Sequence, residues 1–185
     1  MKFLNRSECS SWLKSQQCPD SPYGRPLLTT ANYLQFAVPR NQGAASRIVQ
    51  EIRAYINTPL GCLFQVTDWS RLEDELKTPI LASLESTRSG ELPQFDAVGV
   101  LFETVEVDTL IDCCLAVIEC GMSAYLYVPQ VATFYLWEGD LVDFWSEDAE
   151  LHNQFTRWLV AEHLSITSSY TPNHFHSMAA FKNNL

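Results

Sequence analysis

Residues 95–145 read FDAVGVLFETVEVDTLIDCCLAVIECGMSAYLYVPQVATFYLWEGDLVDFW, the most apolar part of the chain, with no Lys or Arg. Within it, Ala97–Phe102 is apolar at successive positions, as a strand buried on both faces requires. Asp108 opens a helix to Glu119 with a wide apolar surface made by Leu110, Ile111, Cys114, Leu115, Val117 and Ile118. Gly121 follows as a residue able to leave the helix with positive φ. Ala124–Val128 is a second strand, so strand, helix and strand read as a βαβ unit. Thr133–Trp137 and Leu141–Trp145 flank Glu138-Gly139-Asp140 and read as a hairpin.

The segments around this stretch must cover it. Residues 7–16 suggest a short helix capped by Ser7, followed by a Pro- and Gly-containing loop to residue 31. Tyr33–Val38 reads as a strand closed by Pro39. Asn41 then caps a helix over 43–57, with Ala44, Ala45, Ile48, Val49, Ile52 and Ile56 on one face. Cys62–Thr67 is the next strand, which makes a second βαβ unit. Helical pieces fall on 70–78 and 80–87, and residues 88–94 form a loop. Ser146 caps a last helix from Glu147 to about Leu164, with acids in its first turn to suit the helix dipole. The fold expected is one α/β domain over 1–164, residues 1–32 being an N-terminal helix and loop extension. Its mixed sheet has about six strands, built from two βαβ units and the hairpin. Residues 165–185 form a tail, weakly docked or mobile.

Three stretches stand out along this order: CLFQVTDW (Cys62–Trp69), GMSAYLYVP (Gly121–Pro129) and FWSED (Phe144–Asp148). With the elements between Tyr33 and Trp158 they resemble an uncharacterised family of bacterial cytosolic α/β proteins of unknown function. The resemblance implies the fold and carries no activity.

Charge narrows the function classes. The chain has 185 residues and a net charge of −10, and residues 89–156 hold thirteen acids and no base. Such a chain repels nucleic acid and anionic membrane, so neither is an expected partner. Apolar runs are far shorter than a membrane span. The N-terminus lacks the hydrophobic region of a secretory signal, and a cytoplasmic location is expected. The six Cys, at 9, 18, 62, 113, 114 and 120, form no CxxC pair. Cys62, Cys113, Cys114 and Cys120 lie in apolar segments and read as buried free thiols. No metal site or cofactor is expected, and no phosphate-binding or nucleophile motif occurs. His152 and His163 read as solvated helix residues, and His174 and His176 lie in the tail.

Two constellations remain. Asp68 and Glu103 each follow a strand; on parallel neighbouring strands they would share one sheet edge and be the candidates for acid–base work. Glu138, Asp140, Asp143, Glu147, Asp148 and Glu150 are interleaved with Trp137, Phe144 and Trp145 on the hairpin and the following helix start. Acids mixed with aromatics suit an interface for a basic protein. The expected function is therefore an interaction module, of inhibitor or immunity type, presenting an acidic surface to a basic partner. The alternative is a small-molecule binder or enzyme using the strand-end carboxylates, and the balance is against an enzyme.

Overall fold

The structure is a computed structural model and describes residues 1–18, 31–41, 43–56, 59–67 and 99–171. The elements in chain order are β1 (Lys2–Leu4), α1 (Arg6–Ser15), β2 (Asn32–Ala37), α2 (Ala44–Tyr55), β3 (Cys62–Val66) and β4 (Gly99–Phe102). They continue with a 3-10 turn (Thr104–Glu106), α3 (Val107–Glu119), β5 (Ala124–Val128), β6 (Ala132–Trp137), β7 (Leu141–Ser146), α4 (Ala149–Ala161) and β8 (Ile166–Tyr170). The helical pieces expected over 70–87, the loop at 88–94 and the end of the tail lie outside the described residues.

The strands form one open sheet in the order β1-β4-β3-β5-β6-β7-β2-β8. The protein mixes helices with strands as expected, but a mixed sheet of about six strands is not what forms. There are eight among the described residues, and every neighbouring pair is antiparallel. The two βαβ units are corrected accordingly. β2 and β3, joined through α2, run the same way but have β7, β6 and β5 between them. β4 and β5, joined through α3, are separated by β3. Helical crossovers are present, and the sheet interposes other strands within each.

Two strands fall in segments set apart as extension and tail. β1 pairs with β4 and is held beside the start of α3, where the N-terminal ammonium meets the Glu106 carboxylate. β8 pairs with β2, with a bulge opposite Gln35 and Phe36, so the chain beyond 164 contributes an edge of the sheet.

Alternation at period two divides the strands between two faces. Leu34, Phe36, Phe64, Phe102, Leu126, Phe134, Leu136, Val142 and Phe144 form one cluster with residues of α2, α3 and α4. α3 buries eight residues, among them Leu110, Cys114, Val117 and Ile118. On the opposite face α1 covers one side, setting Cys9 and Leu13 against Leu63 and Tyr127. Further along that face lie Tyr33, Trp145, Tyr135 and Tyr170.

Several helix starts differ from their sequence reading. Asn5, rather than Ser7, caps α1, in a reciprocal box with Glu8. Gly43 precedes α2 at φ +83°, so Asn41 is not the cap. Asp148 caps α4 by accepting from the backbone of Glu150 and Leu151. Ser146 instead donates to the Val131 carbonyl and accepts from the Asp148 amide.

Candidate functional site

The antiparallel order separates the acidic residues that lie close in sequence. The β6–β7 turn carries Glu138 and Asp140 at one end of the sheet. Glu147 and Asp148 follow the far end of β7, about 17 Å away by strand rise. Asp143 lies between them and is fully buried. The six acids therefore do not make one surface.

At the turn, Asp140 donates its amide to the Trp137 carbonyl at 3.0 Å. Glu138 and Gly139 both have positive φ, +49° and +70°. Gly139 is required there, because a Cβ would meet the Ile118 carbonyl at 2.4 Å. Glu138 is the unusual member, since Asn or Gly is the cheaper choice at a left-handed position. Its amide is held by Ser123 Oγ at 3.2 Å. The turn borders an open groove of about 610 Å³ whose lining includes Glu119, Glu138, Asp140, Arg40 and Asn41. Arg40 is bound to Asp140 at 3.2 Å. Glu119 and Glu138 have no basic partner among the described residues. Trp137, at the end of β6, is 38% exposed and packs against Tyr135 with ring centroids 5.8 Å apart.

Ion pairing offsets part of the acidic half. Arg53 pairs with Asp108, Arg157 with Glu150 at 3.0 Å, and the N-terminus with Glu106. Arg53 and the N-terminus come from other parts of the chain, and Arg157 from the same helix as Glu150.

Asp143 has a different role. It is directly opposite Tyr135 on one side and Gln35 on the other. Tyr33 Oη and Gln35 Nε2 each donate to its Oδ1 at 2.8 Å, and Thr167 Oγ1 donates to Gln35 Oε1 at 2.8 Å. Burial, with the Asp143 carboxylate beside it, pushes the Tyr33 phenol well up. Burial likewise takes Tyr125 up to about 12, helped by Tyr135 and Asp143. This carboxylate ties β2, β7 and β8 together on the aromatic face.

Of the expected acid–base pair only Glu103 is among the described residues; Asp68 lies outside them. β3 and β4 are antiparallel neighbours, so the strand ends preceding Asp68 and Glu103 point to opposite ends of the sheet. Glu103 is exposed and forms a reciprocal box with Glu106 at the 3-10 turn.

All six Cys are free. Cys9 is buried as well as Cys62, Cys113 and Cys114, while Cys120 is only half-buried. Burial pushes Cys9 and Cys18 up to about 11 and Cys62 and Cys113 up to about 12; Cys114 and Cys120 also move up. Burial thus disfavours the thiolate at these positions. No group of His, Cys, Asp and Glu able to hold a metal ion occurs among the described residues. His152 is not a solvated residue: it is 7% exposed and stacks on Phe144. No helix among the described residues is long and apolar enough to cross a membrane.

Comparison with protein-family models, with curated proteins and with solved structures finds no match. The turn end of the sheet brings together Glu138, Asp140 and Trp137 of the expected set and adds Glu119, which the sequence reading passed over. Its signal was electrostatic: an acid at the last position of a helix without a base in its last turn opposes the helix dipole.

Proposed function

We propose that the protein is a binding module that docks a basic segment of a protein partner in the acidic groove beside the β6–β7 turn. An inhibitor or immunity role is one use of such a module. The observation that carries the reading is the pairing balance in the groove. Three carboxylates line it, Glu119, Glu138 and Asp140, against one guanidinium, Arg40, already bound to Asp140. A Lys or Arg side chain entering there gains two carboxylates that lack a basic partner among the described residues. The left-handed Glu138 supports the reading, because a residue with a conformational cost at a groove rim points to a role beyond folding. Trp137 at the same end offers an aromatic anchor of the kind that dominates interface energies. Glu147 and Asp148 belong to the far end and are not part of this surface.

A displayed library of random peptides selected on the protein tests this. Lys- and Arg-rich sequences should be enriched, and their association should slow as salt rises. The E119Q/E138Q/D140N variant should fold normally and lose the enrichment. Enrichment of uncharged peptides, or undiminished basic enrichment on the triple variant, would sink the reading.

A further inference from the structure

A second concavity lies at the opposite end of the sheet, between the last turn of α1, the β5–β6 turn and the end of β7. Its volume is about 180 Å³, and Gln16, Gln17, Gln130, Thr133 and Glu147 line it, with Val128, Val131 and Trp145 as the apolar part. That is the liquid volume of about six water molecules, so an occupant is small or is the end of something larger.

Two of the four non-Gly residues with positive φ among the described residues line this pocket. Gln17 has φ +58° and Gln130 φ +63°. Gln17 follows α1 at the position where helices commonly place Gly, and Gln130 sits in a turn closed by the Val131 amide on the Val128 carbonyl at 3.1 Å. Among the described residues Gly holds four other positive-φ positions, Gly43, Gly61, Gly121 and Gly139, and Glu138 and His163 hold two more. At two where Gly would also be cheapest the chain places Gln, and both line one pocket.

We infer that this pocket binds a small neutral polyhydroxylated molecule of monosaccharide size. The inference does not depend on the acidic groove. A carboxamide has two donors on nitrogen and two acceptor positions on oxygen. A cationic ligand brings donors only and leaves the amide N–H groups unmatched. An anion brings acceptors only and meets the carboxylate of Glu147, the only charged residue among the described residues of the lining. Hydroxyl groups donate and accept at once, so they match Gln17, Gln130 and the Thr133 hydroxyl together, and donate to Glu147. Gln16 Nε2 is already engaged with Ser15 Oγ at 3.2 Å and contributes its oxygen. Val128 and Trp145 are buried beneath the floor, and the half-buried Val131 offers the apolar edge that suits the C–H face of a sugar ring.

The test uses the full chain, with glucose, galactose and ribitol as probes, followed by the side-chain NH2 resonances of the glutamines. The Q17G and Q130G variants assign those resonances by their disappearance. Expected are saturable shifts of both resonances on adding at least one probe, and affinity at least tenfold weaker in Q17G/Q130G. The same variant should melt no lower than wild type, since Gly relieves the left-handed positions; a loss of binding is then not a loss of fold. Thr133→Val should weaken binding at unchanged side-chain volume. Absence of a saturable shift with all three probes overturns the inference, as does undiminished affinity in the double variant. Saturable binding of guanidinium or acetamide in place of the polyols would also overturn it.

Discussion

The two faces of the sheet are cut from the same strands and finished in different chemistry. Toward the helices, β6 and β7 present Phe134, Leu136, Val142 and Phe144, which join one continuous apolar cluster. Toward the other side the alternate residues are Thr133, Tyr135, Trp137, Asp143 and Trp145. The first face is held by volume and contact, which tolerate exchange among apolar side chains of similar size. The second is held by rings with polar tips and by one buried carboxylate, each of which needs a particular partner. Stability on the first face should therefore scale with atoms removed, and on the second with hydrogen bonds left unmade.

The largest effect is expected on the helix-covered face. Ile118 of α3 is 5% exposed within the apolar cluster. Ile118→Ala should cost about 2–5 kcal/mol through lost transfer energy and a residual cavity. Urea unfolding measures it, and a loss under about 0.5 kcal/mol would remove α3 from the core.

On the other face, Asp143→Ala strands the Tyr33 hydroxyl and the Gln35 amide, both of which donate to Oδ1 at 2.8 Å. The expected loss is about 2–3 kcal/mol, given the worth of hydrogen bonds to a charged group. Asp143→Asn keeps an acceptor and should recover a good part of it. If Asn costs as much as Ala, shape rather than hydrogen bonding holds this face, and the contrast between the faces fails. Tyr33→Phe removes one of the two donors and should cost about 1–2 kcal/mol. Its second signature is alkaline. The Tyr33 pKa lies above its usual value near 10 in the folded protein, so stability is full below pH 10 and declines as the pH rises past it. Tyr33→Phe should show a shallower alkaline decline, although Tyr55 and Tyr125 preserve part of it.

Local structure was largely legible in the sequence, and the arrangement of strands was not. The hairpin around Glu138-Gly139-Asp140, the amphipathic helix over Ile48, Val49 and Ile52, and the buried helix containing Ile118 follow from periodicity and turn chemistry. Whether β2 and β3 become neighbours depends on which strands enter between them, and neither strand encodes that. β1 and β8 were missed for a related reason: three residues beside a cap and the polar run Ile166–Tyr170 become strands only because β4 and β2 offer them an edge. At the site, sequence proximity was a poor guide. Glu138 and Glu147 are nine residues apart and lie at opposite ends of β7, while Glu119 and Glu138 share a groove through the approach of α3 to the turn. Asp143 carried a signal that was not used, since its side chain must share a face with Tyr135 and Trp145 rather than with Phe144.

The smallest effect tests the point where the two faces meet. His152 lies on α4 over the apolar face, 6.2 Å from the Phe144 ring, and its ring is near the backbone of Tyr33, whose side chain anchors the other face. His152 Nε2 is buried with no hydrogen-bond partner among the described residues. Burial lowers the pKa below the usual 6.5, outweighing the nearby Tyr33 backbone and Asn153 side chain, which act to raise it. The folded state thus favours the neutral ring. The stability it contributes is full above pH 6.5, where both states are neutral, and falls as lower pH protonates the unfolded chain preferentially. Burial and the neighbouring Glu162 push the Glu51 carboxyl up, and because Glu51 is common to wild type and variant the comparison between them isolates the imidazole. His163 is exposed and common to both proteins compared. His152→Phe keeps an aromatic ring against Phe144 and removes the titrating group. Its urea midpoint should change less between pH 7 and pH 5 than that of the wild type. Parallel declines would mean that the ring reaches solvent when protonated, and that α4 seals this corner of the apolar face less tightly than the packing of Phe144, Phe155 and Leu159 implies.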